Sequence, residues 1–224
     1  MSKVNLVLFD NDVILKIAVY ELANQVQQLW PNGTYSITVL FSARFVLALT
    51  IRRNSKSSNK ERIAQSLQYL LSHFEEVEPT EQELQLAAAI EEEAMQRSLP
   101  LDSGESILAS VLCHRDAESL ITGDKRAISA IERLVSNFPK TRNAIACFEQ
   151  LMLTIIGFSD LESLRKAVCT EACADRSMAI CFCCHSEAVS SETISSALLS
   201  YIADIRANAG TVLVSGNTLS GIVP

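Results

Sequence analysis

Six residues near the start, Val4 to Phe9 (VNLVLF), form an apolar run interrupted only by Asn5. It ends abruptly on Asp10, with Asp12 two residues further on. A short aliphatic stretch closed by a polar break suits a strand buried on both faces. Val13, Ile14, Ile17, Ala18 and Leu22 then recur at helical spacing, so a helix follows directly. A buried strand that turns at once into a helix is the opening move of a parallel α/β sheet, which places narrow limits on the rest of the chain. Two later stretches share its form: LDSGES, with Asp102 and Glu105, and LITGDK, with Asp124. Each sets carboxylates at the edge of an apolar segment.

The same alternation continues. Trp30 to Gly33 is a turn, Ser36 to Leu40 a second short strand, and Ser42 opens a helix to about Arg53. Asn54 to Asn59 (NSKSSN) reads as a polar, mobile loop, and Lys60 to Phe74 as an amphipathic helix. Phe74 to Val77 is a short strand or a connection. Thr80 and Glu83 have capping-box spacing and start a helix to about Arg97, which Pro100 terminates. Asp102 and Ser103 cap a helix from Gly104 to His114. Ser119 to Thr122 is a strand, Lys125 to Val135 a helix, and Ala144 to Cys147 the last strand, running into a helix to about Ile156. The sequence thus predicts a parallel sheet flanked by helices over residues 1–156. Residues 157–224 form a C-terminal helical extension, with helices at Leu161–Cys173, Asp175–His185 and Glu192–Asn208, and SGNTLSGIVP is expected to fray.

Composition narrows the function. The stretch Tyr35 to Ile51 carries Arg44 at its centre, which a membrane helix tolerates poorly, and the apolar run before Asp10 is too short for a secretory signal. A soluble, cytoplasmic protein with reduced thiols is expected for its 7 cysteines. Cys169-x3-Cys173 and Cys181-x-Cys183-Cys184-His185 have poor zinc spacing and read as core positions. His73, His114 and His185 lie at helix ends. No glycine-rich phosphate loop or nucleophile elbow occurs. The net charge of −7 gives no global attraction to nucleic acid, but charge is segregated. Arg44 to Arg62 holds six bases and one acid, and could follow a phosphate backbone; Glu75 to Glu93 holds eight acids and no base.

In a parallel α/β sheet, sites form beyond the carboxyl ends of the strands. Asp10, Asp124 and Glu105 should meet there. A lone Asp after a strand is ordinarily a turn former or helix cap. Several carboxylates converging without matching bases would repel one another, and Mg²⁺ or Mn²⁺ removes that repulsion. Such an ion also supports in-line displacement at a phosphodiester.

FDNDVIL resembles the opening of PIN-domain nucleases, SGESILASVL that family's Gly-Glu helix, and LITGDKRAI its strand followed by Thr, any residue, Asp and a basic residue. The order and spacing match across about residues 4–150. The resemblance implies a PIN-like fold and a metal-dependent ribonuclease, often the toxin of a toxin–antitoxin pair. That adds an RNA substrate, an antitoxin protein and a second copy of the chain as partners. By motif position, Asp10, Glu105 and Asp124 are the implied catalytic metal ligands, with Asp102 a further one. Asp12 and Thr122 support them. Arg44, Arg52, Arg53, Lys125 and Arg126 are the expected nucleic-acid contacts.

The chain departs from that pattern at one point. The family usually carries another Glu on the helix after the second strand, whereas FSARFVLAL has no acid and Arg44 stands about there. Asp102 is placed to substitute for it. The alternative is a PIN-like module with weakened catalysis that binds nucleic acid or protein.

Overall fold

The computed structural model describes residues 4–30, 35–53 and 59–219. The expected turn at Trp30 to Gly33 and the Asn54 to Asn59 loop fall largely outside them. The first strand, β1 (Asn5–Phe9), lies at the centre of a five-stranded parallel sheet. On one side it pairs with β2 (Tyr35–Leu40), and β2 with the short β3 (Glu75–Val77). On the other it pairs with β4 (Ser119–Thr122), and β4 with β5 (Ile145–Cys147). The order is β3-β2-β1-β4-β5. The chain therefore builds outward from β1 in one direction, then returns to build in the other. The crevice between the ends of β1 and β4 is the topological switch point, where α/β sheets place their sites.

Alternation along β1 sends Val7 and Phe9 into one apolar core and Leu8 into the other, as the two-residue period of a strand requires. The first core lies under α1 (Asn11–Val19), α2 (Ala23–Leu29), α3 (Ala43–Arg53), α4 (Lys60–His73) and α8 (Phe148–Ile156). The second lies under α5 (Glu81–Gln96), α6 (Ser103–Arg115) and α7 (Lys125–Leu134). Helices α9 (Leu161–Thr170), α10 (Arg176–Cys181) and α11 (Ser191–Ala209) follow. They share these cores: Phe182, Ile194 and Leu198 join the first, Ile202 and Ile205 the second.

Helices α1 and α10 end earlier than the apolar spacing predicts and α5 ends where expected, all three in the same kind of turn. At Glu21, Ser98 and Cys183 the backbone turns left-handed (φ 56°, 54° and 48°). The next residue's N–H then reaches back to close the helix: Leu22 to the Ile17 carbonyl, Leu99 to that of Ala94, and Cys184 to that of Ala179. These are Schellman ends built without glycine. Leu22 keeps its place on the apolar face and is buried although α1 has already stopped. The tail is also better ordered than its composition suggests. Leu213 bridges in parallel to Ile145, Gly216 accepts hydrogen bonds from Gln150 and Arg206, and Leu219 is buried. Residues 220–224 fall outside the described set. Among the described residues, no helix is long and apolar enough to cross a membrane.

Candidate acidic site at the strand ends

Two strand-to-helix junctions and the α5–α6 connection supply the acids, and Asp10, Asp102 and Asp124 each cap the helix that follows. Asp10 caps α1, its Oδ1 accepting the Asn11 N–H at 2.7 Å. Asp124 caps α7, its Oδ1 accepting from the N–H groups of Arg126 and Ala127 at 2.8 and 3.3 Å. Asp102 caps α6 in a reciprocal box: its Oδ1 accepts the Glu105 N–H, and Glu105 Oε2 accepts the Asp102 N–H, both at 2.9 Å. The ordinary capping role is therefore present throughout.

Capping is not all that these acids do. The Thr122 hydroxyl donates to Asp10 Oδ2 at 3.1 Å and accepts the Asp124 N–H at 3.1 Å, tying the first acid to the turn that carries the last. Burial raises the Asp10 carboxyl to about 6, helped by the negative charges of Asp12 and Asp102. Glu105, 9% exposed, is raised to about 7, chiefly by burial and then by the charges of Asp102, Asp124 and Asp10. The four carboxylates thus share one electrostatic neighbourhood. For Asp124, burial pushes its carboxyl up, but the Arg126 side chain and the capped N–H groups outweigh it and hold it low. Arg126 Nη2 lies 2.9 Å from Asp124 Oδ2. Among the described residues, no three His, Cys, Asp or Glu side chains stand grouped as metal ligands.

Two lysines flank the acids, and each is anchored. Lys16 Nζ lies 2.6 Å from Asp12 Oδ2 and 2.6 Å from Asp175 Oδ2. Lys125 Nζ lies 2.9 Å from Glu149 Oε1 and 4.1 Å from the centroid of the Tyr201 ring. Glu149 is 3% exposed, and its Oε2 has no hydrogen-bond partner among the described residues. Sequence reasoning did not single out Lys16, Asp175 or Glu149. Only the four-residue spacing of Asp12 and Lys16 on one helix gave a signal.

The basic strip is largely engaged internally. Arg44 pairs with Glu76 and lies over the Phe41 ring. Lys60 donates to the Arg52 carbonyl, and Arg62 reaches Glu171 and Glu21. Arg52 and Arg53 end α3. A groove of about 580 Å³ between α3 and α4, lined by Arg44, Ala48, Ile51, Arg52, Lys60 and Leu67, includes none of the four carboxylates. α3 carries no acid, and the carboxylate that meets Arg44 is that of Glu76 on β3.

The cysteines correct one expectation. Cys169 and Cys184 form a disulfide, because the left-handed turn at Cys183 brings the end of α10 back onto α9. Cys113, Cys147 and Cys181 are buried free thiols, as expected of small core residues, whereas Cys173 is exposed.

No protein-family model matches this chain, and no curated protein sequence does. Among solved structures it is similar to the crystal structure of VapBC2 from Rickettsia felis bound to a DNA fragment from their promoter. The likeness has a TM-score of 0.47 and 14% sequence identity, over 63% of this chain and 98% of that one.

Proposed function

We propose that residues 1–156 are a PIN-like nuclease domain that cleaves RNA with Mg²⁺ or Mn²⁺, and that residues 157–224 are its helical extension. The observation that carries this reading is the Thr122 hydroxyl tying Asp10 to the Asp124 turn at the switch point of a parallel sheet, with Glu105 buried and within reach of their charge. Asp10 and Glu105, whose proton affinity is raised by burial and then by neighbouring carboxylate charge, belong to a donor set suited in chemistry to a hard divalent cation. Asp10, Glu105 and Asp124 would hold it, with Asp102 in the place of the acid that α3 lacks. When bound, the cation would neutralise these charges and polarise a phosphodiester.

The chain's own groups do the remaining work. The Thr122 hydroxyl fixes the orientation of Asp10. Asp12 stands beside it under Lys16. Lys125 and Arg126, next to Asp124, supply positive charge for a phosphate, and Arg44, Arg52 and Arg53 extend that contact along the strand. An antitoxin protein and a second copy of the chain are the protein partners this reading adds, in the cytoplasm.

A second reading has its own support. Asp10, Asp102 and Asp124 are already engaged as helix caps, Glu105 closes the Asp102 box, Arg126 pairs with Asp124, and no group of three ligand side chains stands among the described residues. These features favour a PIN-like binding module with weakened catalysis. One experiment separates the two. Purified protein is incubated with single-stranded RNA and Mn²⁺, with and without chelator, alongside Asp10→Asn and Asp124→Asn. Asparagine retains the capping oxygen, so it removes charge while leaving the cap. Chelator-sensitive cutting lost in both variants supports the nuclease; RNA binding without cutting supports the module.

A further inference from the structure

Lys16 is a buried cation shared between two distant parts of the chain. It is 9% exposed, sits in α1, and lies 5.2 Å from the centroid of the Phe148 ring. One of its partners, Asp12, is one turn earlier on α1. The other, Asp175, lies in the segment beyond α9, where its two oxygens divide their work. Oδ1 accepts the Met178 N–H and caps α10, while Oδ2 meets Lys16. A buried ammonium needs such partners, since an uncompensated charge there is strongly destabilising.

What this clasp touches matters more than what it stabilises. The space beside Gly123 is filled by it: a Cβ on Gly123 would fall on Asp12 Oδ2 and lie 2.7 Å from Lys16 Nζ. Gly123 joins Thr122, whose hydroxyl holds Asp10, to Asp124. The ion pair therefore presses against the backbone between two of the acids.

We infer that Lys16 and Asp175 are positioning residues: through them the C-terminal segment holds the start of α1 and the Thr122–Asp124 turn in fixed register, and so sets the spacing of Asp10 and Asp124. The use made of that spacing rests on the nuclease reading; the register itself does not.

Asp175→Asn tests this cleanly, because asparagine can still cap α10 while losing the charge that holds Lys16. Two measurements are made on the full chain: amide hydrogen exchange without metal, and Mn²⁺ affinity by calorimetry. In Asp175→Asn, exchange at the Asp124, Arg126 and Ala127 amides should quicken tenfold or more while the sheet keeps its protection. Mn²⁺ affinity should fall about tenfold. Unchanged exchange at those three amides overturns the inference whether or not Mn²⁺ binds. Quickened exchange with unaltered Mn²⁺ affinity overturns it as well, since the register would then be structural only. Wild-type protein that binds no Mn²⁺ overturns the nuclease reading alone, and the exchange result still decides the register. Should Asp175→Asn fail to fold, Lys16→Arg and Asp175→Glu keep both charges and alter the reach. They should quicken the same amides by a smaller factor, and no change in either variant sinks the inference.

Discussion

Glu83 and Arg115 meet in a two-pronged ion pair that locks α5 to α6. Glu83 Oε1 lies 2.6 Å from Arg115 Nε, and Oε2 lies 2.8 Å from Nη2. Glu83 is 0% exposed and also accepts the Thr80 N–H at 2.8 Å in the capping box that starts α5. The Arg115 hydrogen bonds, working against burial, hold its carboxyl down at about 2. A carboxylate depressed on folding adds stability that is complete above its unfolded value near 4.5 and is lost as pH falls towards 2. The shift corresponds to about 3 kcal/mol. Urea unfolding at pH 5 and pH 3 should reveal most of that loss. Glu83→Gln should be destabilised at pH 5 and show a much flatter acid limb; an equally steep limb would assign the acid sensitivity to other groups.

The candidate site should respond to pH with the opposite sign. Asp10 and Glu105 are raised on folding, to about 6 and about 7, mainly by burial. Their contribution is most favourable below their unfolded values and is lost as pH rises through 6 to 7. Metal-free protein should therefore melt at a higher temperature at pH 5 than at pH 8, by at least about 4 °C for a chain of this size. Asp10→Asn should raise the melting temperature at pH 8 and shrink the difference. A melting temperature flat from pH 5 to 8 in the absence of metal would remove the argument that these acids crowd one another.

The disulfide offers a separate test. Cys169 and Cys184 are 15 residues apart in sequence. Closing a loop of that size restricts the unfolded chain by about 3 kcal/mol in the chain-entropy account. Cys184→Ser should cost roughly that amount under oxidising conditions and nothing once the wild type is reduced. Equal stability of wild type and variant under both conditions would mean that the bond does not form in solution.

Much of the sheet was legible because its signals are local. Ser119 to Thr122 is a strand with the expected ends, since an apolar run bounded by polar residues leaves little choice. The capping box at Thr80 and the cap at Asp102 were legible because the groups involved lie within four residues of one another; the box that Glu105 closes with Asp102 was not read. The ends of α1 and α10 were not legible, because their Schellman turns use Glu21 and Cys183 where glycine is the usual signal. The three acid-bearing junctions could be read one at a time, as breaks after apolar runs. The Lys16–Asp175 pair could not, because only tertiary packing brings α1 to α10, and neither residue stands in a motif.

Tyr20 closes α1 with its ring buried at 1% exposure, and its hydroxyl finds no hydrogen-bond partner among the described residues. The negative charges of Asp175 and Asp12 lie near enough to oppose its ionisation, after burial itself. A buried hydroxyl without a partner costs about 1–3 kcal/mol, so its removal should cost nothing. The ring, by contrast, fills core space, and truncating it would leave a cavity. Tyr20→Phe should thus be neutral or stabilising by about 1 kcal/mol in urea unfolding, whereas Tyr20→Ala should lose about 3 kcal/mol or more. Destabilisation of Tyr20→Phe by more than about 1 kcal/mol would mean that the hydroxyl is bonded, with Asp175 or a bridging water the first place to look.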